Sequence, residues 1–185
     1  MGPVEILFIT IGFIVTLIGL ARGYAKELGN TTIILVAIFV LTFFETTIVN
    51  LLTAVLVRVP GLLANPDDIQ AQSLLLSAIL TVAFVAIVFA SYAGRTLDMG
   101  GKPAKPPVGT IYTALIALLN GYLVGGTIWY YQHAYDYPLQ SLGLVELPLT
   151  NGAQTMIEFL PQTIFPSAIY WMVPVAVLLL LRIRG

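Results

Sequence analysis

Long apolar runs, broken by short polar or glycine-rich stretches, set the pattern of this chain. Residues 4–21, 31–57, 73–93, 108–131 and 167–181 are each predominantly apolar. A helix needs about 20 mostly apolar residues to cross a bilayer. The pattern therefore predicts five spanning helices, the last one short. A four-span version, in which the final segment only dips in, is the alternative. Pro174 interrupts that last run, although membrane helices tolerate proline. The second run is long enough to tilt or to project beyond the bilayer. No stretch shows the sustained two-residue alternation of a membrane β-barrel. The expected fold class is all-α, a polytopic integral membrane helix bundle.

Composition supports this. Of 185 residues, 58% are hydrophobic and only 9% charged, with a mean hydropathy of +0.95. A soluble domain carries about 25% charged residues, and no soluble core of this size hides so much apolar surface. The charge of −1 says nothing about a nucleic-acid partner, and with no basic stripe none is expected. With no cysteine, thiolate metal sites, disulfides and cysteine nucleophiles are excluded. Glu5 is the only charge ahead of the first run's end, and the basic residues follow that run, so an uncleaved first helix is expected rather than a signal peptide. Ile6 breaks the myristoylation pattern.

The basic residues then orient the spans. Arg22 and Lys26 follow the first run, Arg95, Lys102 and Lys105 lie between the third and fourth, and Arg182 and Arg184 follow the fifth. With five spans these seven share one side, which the positive-inside rule makes cytoplasmic. Arg58 alone lies at the other side. The stretch ARGYAKELGN is thus expected to be a tight cytoplasmic turn, with the N-terminus outside and the C-terminus inside. Trp129, Tyr130 and Tyr131, with Tyr170 and Trp171, mark the expected outer interface.

Three parts follow: a four-helix membrane bundle over 1–131, an extracytoplasmic segment over 132–166, and a fifth span with a basic end over 167–185. The outer segment is punctuated by prolines and holds TNGAQTMIEFL, where Asn151 is the expected N-cap and Gln154 its capping-box partner. A short amphipathic helix on the membrane surface, or docked on a partner, fits that pattern. Residues 94–109 read as a Gly/Pro-rich basic connector.

Candidate chemistry is sparse. Glu45 is the one carboxylate near the middle of an expected span, and ionisable groups at that depth are functional candidates. A proton site is the sharper reading; a protonated acid, or one reaching the interface, is the plainer one. Asn120 calls for an interhelical hydrogen bond, and Gly121 with Gly125, and Gly19 with Gly23, form GxxxG faces. Those faces serve packing within the chain or contact with another subunit. His133, the only histidine, has no clustered ligand beside it. No nucleotide, hydrolase or metalloprotease motif is present, so no metal, cofactor or catalysis is expected.

RGYAKELG after an apolar first span, together with ALIALLNGYLVGGTIWYY later, resembles the colicin V production protein (CvpA) family. Arg22, Gly23, Glu27 and Leu28 carry the first stretch, and Asn120, Gly121 and Gly125 the second. The resemblance implies a small inner-membrane protein of about four spans, tied to making or exporting a toxin. The long outer segment and fifth run depart from that pattern. The expected function is a non-catalytic accessory subunit of a larger membrane complex, respiratory or photosynthetic, in a bacterial plasma membrane. A CvpA-like export or transport factor is the alternative.

Overall fold

A computed structural model describes residues 3–58, 68–94 and 106–184. Among them the secondary structure is helical, with no β-strand element. Four helices are long and apolar enough to cross a membrane: α1 (Val4–Arg22), α2 (Tyr24–Arg58), α3 (Ile69–Ala93) and α4 (Val108–Ala134). The short helices α5 (Asn151–Ile157) and α6 (Pro161–Ile164) follow, and then α7 (Ala168–Arg184), whose 17 residues stand at the short limit for a span. The chain is a multi-pass helical membrane protein.

The first turn differs from expectation. ARGYAKELGN is not a loop: α1 ends at Arg22, α2 starts at Tyr24, and Gly23 alone joins them. Gly23 has φ +86° and ψ 163°, a region only glycine enters without strain. It bends the chain, and the space at its Cβ position is open, whereas Gly19 is packed closely inside the chain. Because α2 begins seven residues before the apolar run, Glu27, Asn30 and Thr31 lie in its first two turns and are buried.

Joined through one residue, α1 and α2 diverge, and α1 packs most extensively along α4. The two run antiparallel: Gly12 meets Gly121, and Gly125 meets the Phe8 carbonyl. A Cβ on Gly12 would stand 2.9 Å from Gly121 O, and one on Gly125 2.8 Å from Phe8 O. One on Gly121 would overlap Thr16 Oγ1 and Gly12 O. The Gly121/Gly125 face is therefore consumed inside the chain, where close backbone approach supplies the packing that lipid cannot drive. On the remaining sides α2 packs against α3, α4 and α7. Ile34, Ile38, Leu80, Phe84 and Val124 fill the space between them.

The bundle has a basic end, where Arg22 meets Tyr92 and Tyr24 faces Tyr112, and an aromatic end, where α4 finishes. The aromatics there are not a uniform lipid-facing belt. Trp129 is buried, stacked on Phe8 at 5.6 Å with a 17° interplanar angle, and donates to Tyr137 Oη at 3.1 Å. Tyr131 is buried as well, and Trp171 is buried with its Nε1 donating to Phe165 O at 3.0 Å. Tyr170 is exposed and Tyr130 half-buried. Three of the five expected interfacial residues thus brace the protein instead.

After α4, Asp136 and Tyr137 adopt positive φ and turn the chain back. The cap of α5 is Thr150, one residue earlier than expected; its Oγ1 accepts from Ala153 N at 3.0 Å. The segment packs back onto the bundle. Pro161 seats on Gly126, Gln162 Nε2 donates to Thr127 Oγ1 at 3.0 Å, and Tyr122 Oη donates to Phe159 O at 2.7 Å. Thr127 lies about 10 Å down the helix from Ala134, so α5 and α6 descend along α4.

Candidate functional site: a buried carboxylate at the basic end

Glu27 is fully buried in the first turn of α2, and the other three long helices all send a group to it. Its Oε1 accepts from Asn30 Nδ2 at 3.0 Å and pairs with Arg22 Nε at 3.3 Å. Its Oε2 accepts from Tyr92 Oη at 3.0 Å and Asn120 Nδ2 at 2.9 Å. The same Asn120 amide donates to the Glu27 carbonyl at 3.1 Å. Thr31 Oγ1 lies 2.7 Å from Asn120 Oδ1 and 2.9 Å from the Glu27 carbonyl, and its one proton serves either acceptor. Arg22 thus contributes from α1, Tyr92 from α3 and Asn120 from the middle of α4.

Local sequence explains each placement. Glu27, Asn30 and Thr31 stand at helical three- and four-residue spacing, so they share one face of α2. Gly19 makes room for them: a Cβ there would stand 2.9 Å from Glu27 Oε2 and 2.8 Å from the Ala117 Cβ. Arg22 is the last residue of α1. It donates to the Tyr92 carbonyl in the last turn of α3 and lies 5.0 Å over the Tyr92 ring. A cation at a helix C-terminus is favoured by the aligned peptide dipoles. A buried ion of either sign is costly unless paired and hydrogen-bonded, and here both carboxylate oxygens are.

The other candidates fall elsewhere. Glu45 does not join this centre. It is half-buried on α2 within electrostatic range of Tyr130, Tyr131 and Tyr135, so it sits at the aromatic end. Lys26 is exposed beside Glu27. Arg22, expected as a solvated anchor, is drawn into the bundle by Glu27. Arg95, Lys102 and Lys105 lie outside the described residues, as do the side chains of Arg182 and Arg184. His133 is exposed, its ring 5.7 Å from that of Tyr137. Outside the spans, burial raises the Tyr137 phenol above its ordinary value, partly offset by the Trp129 donor.

No family profile, curated protein or solved structure matches this chain. The chemistry must be read from the site itself.

A tight turn over ARGYAKELGN leaves Glu27 no buried role, which is why its burial is not expected from that stretch. The signal was present: Glu27, Asn30, Thr31 and Ile34 keep the period of the apolar run, so the helix could be extended backward to Gly23. As built, the centre can hold a negative charge in a dry site and tie four helices at one level. A proton or cation could reach Glu27 only by displacing Arg22, an amide or the Tyr92 hydroxyl.

Proposed function

We propose that this chain is a non-catalytic integral membrane subunit that packs on a larger membrane assembly, of respiratory or photosynthetic type, in a bacterial plasma membrane. The observation that carries this reading is the length and exposure of α2. Its 35 residues extend about 52 Å, against about 30 Å of hydrocarbon. Beyond Glu45, which is level with the end of α4, α2 continues to Arg58 and exposes Leu51 (62%) and Val55 (47%). Apolar side chains raised past the aromatic end need cover, and a neighbouring subunit supplies it. The Arg22–Glu27 centre supports the same role by fixing the frame that holds α2 in place. On the charge pattern, the aromatic end faces outward and α7 brings the C-terminus inside.

Purification of the tagged protein in a gentle detergent, followed by mass spectrometry, tests this. A stoichiometric set of membrane partners, lost in Leu51→Glu/Val55→Glu, is the expected result. A homogeneous monomer, or partners indifferent to that change, overturns it.

The second reading is an export or transport factor, which the CvpA resemblance suggests. A carboxylate with amides and a hydroxyl, at the ends of α1, α2 and α3 and the middle of α4, favours it, as does the broken α5–α6 segment descending along α4. Solute flux in liposomes that disappears in Glu27→Gln would support it. Flux that is absent, or unchanged by that substitution, would leave the first reading.

A further inference from the structure

The centre at the basic end holds one polar atom that the charged state of Glu27 does not use. Asn30 has no exposed surface, and its Nδ2 donates to Glu27 Oε1 at 3.0 Å, which leaves its Oδ1 buried without a hydrogen-bond partner. A buried acceptor left open calls for a donor. The contact itself sets the amide's orientation, since only its NH2 group can face a carboxylate. Turned over, the same amide offers Oδ1 to Oε1, and that arrangement fits a carboxyl group that carries a proton. Asn30 therefore serves either state of its neighbour.

The charged state has its own counter-ion. Arg22 Nε lies 3.3 Å from the same oxygen, Oε1, and the Arg22 side chain is 20% exposed where that of Glu27 is fully buried. The centre therefore borders solvent on the Arg22 side. The guanidinium also has a second seat, on the Tyr92 carbonyl and over the Tyr92 ring. Tyr92 Oη and Asn120 Nδ2 hold the other oxygen, Oε2, and need not move. Among the described residues no other cation faces the carboxylate. On α2 itself Lys26 is exposed, α3 brings the Tyr92 phenol, α4 brings the neutral Asn120, and Tyr24 and Tyr112 face each other at 6.1 Å.

We propose that Glu27 is a proton-binding site with a built-in competitor: Oε1 carries either the Arg22 guanidinium or a proton, and in the second state that proton is donated to Asn30 Oδ1. The proton comes from water on the Arg22 side, Arg22 keeps its own charge and its seat on Tyr92, and the bundle gains one positive charge. Arg22 is the last residue of α1, and Gly23 alone joins it to α2. The exchange therefore changes what ties those two helices at their junction. This site goes beyond the subunit-packing reading and does not depend on what covers α2.

The test is infrared difference spectroscopy of the full chain in nanodiscs during a pH titration, which detects the carbonyl stretch of a protonated carboxyl group. Acidifying the wild type should raise such a band that Glu27→Gln lacks. In Arg22→Gln the band should appear at a proton concentration about 10- to 1,000-fold lower, the effect of removing one opposite charge at this range. Arg22→Lys keeps the charge and should titrate close to the wild type. Asn30→Ala removes the acceptor and should move the band to the frequency of a carboxyl group without that hydrogen bond. Thermal unfolding in detergent establishes that each variant folds; if Arg22→Gln does not, the band shift in Asn30→Ala decides. No band assignable to Glu27 before acid unfolds the chain, an unchanged titration in Arg22→Gln, or a band indifferent to Asn30→Ala overturns the proposal.

Discussion

Two carboxylates of α2 sit 18 positions apart and live in opposite worlds. Glu27 has no exposed surface, and each of its oxygens has two partners, drawn from all four long helices. Glu45 is half-buried at the other end, near three tyrosines that act on it only at a distance. Glu45 looks the more anomalous in sequence, being the acid in the middle of an apolar run, while Glu27 looks like part of a hydrophilic turn. Depth in the folded chain reverses this. What decides an acid's surroundings is where its helix begins, and α2 begins at Tyr24. The bundle uses charge and amides to close its basic end, and glycine contacts with aromatic packing to close the rest.

The sharpest way to break this contrast is to remove each acid in turn. Glu27→Leu leaves Arg22, Asn120, Asn30 and Tyr92 facing an apolar side chain, and should cost about 3–5 kcal/mol, the penalty of orphaning a buried partner. Glu45→Leu should stay within about 0.5 kcal/mol, as for a partly exposed site. Unfolding by denaturant in detergent micelles measures both. If the costs are equal, the network around Glu27 is not holding the bundle. The double change Arg22→Met/Glu27→Leu should recover part of the loss, since an apolar pair of similar volume replaces a buried ion pair at little cost. Asn120→Leu, which leaves the carboxylate and Arg22 in place, should cost about 1–2 kcal/mol.

The next effect probes the glycine contacts. Gly121→Val would force α1 and α4 apart, because the space for its side chain is taken by Thr16 and the Gly12 backbone. Overpacking of this kind costs about 1–3 kcal/mol. Gly23→Ala should cost about as much, by backbone strain rather than crowding, since nothing lies within 4 Å of its Cβ position. The two are told apart by a second substitution: Thr16→Ala should relieve part of the Gly121→Val loss and none of the Gly23→Ala loss. Equal relief in both would deny that the α1–α4 contact is a packing constraint.

These residues also show what could be read in advance. The four long helices were legible because an apolar run of membrane length has few other fates. Gly121 and Gly125 were legible as a close-packing face, but their partner Gly12 was not, since no glycine stands three or four residues from it in α1. Gly19 and Gly23 look alike in sequence as small residues four apart, yet Gly19 packs within the chain and Gly23 turns it. Glu27 was missed because loop polarity and a polar helix face have the same composition, and only the three- and four-residue spacing onward to Ile34 separates them. The descent of α5 and α6 was not legible, because it depends on Pro161 finding Gly126 and on Gln162 finding Thr127, contacts between residues 35 positions apart.

The smallest expected effect asks whether Glu45 reaches the tyrosines at all. Tyr135 lies just past the end of α4. Burial first, the Glu45 charge second and Tyr130 third push its phenol from the ordinary 10.0 up to about 12. The folded chain then holds this proton more tightly than the unfolded chain does, so the contribution is fully present below pH 10 and is lost as pH rises toward 12. Thermal midpoints between pH 8 and 12 should fall in the wild type and fall less in Tyr135→Phe. Glu45→Gln should remove only part of that difference, because burial leads and charge follows, and Glu27→Gln should remove none of it. A Glu45→Gln profile identical to the wild type would place that carboxylate out of range of α4. It would then return Glu45 to the position its sequence first suggested, an acid within an apolar helix with no neighbour to explain it.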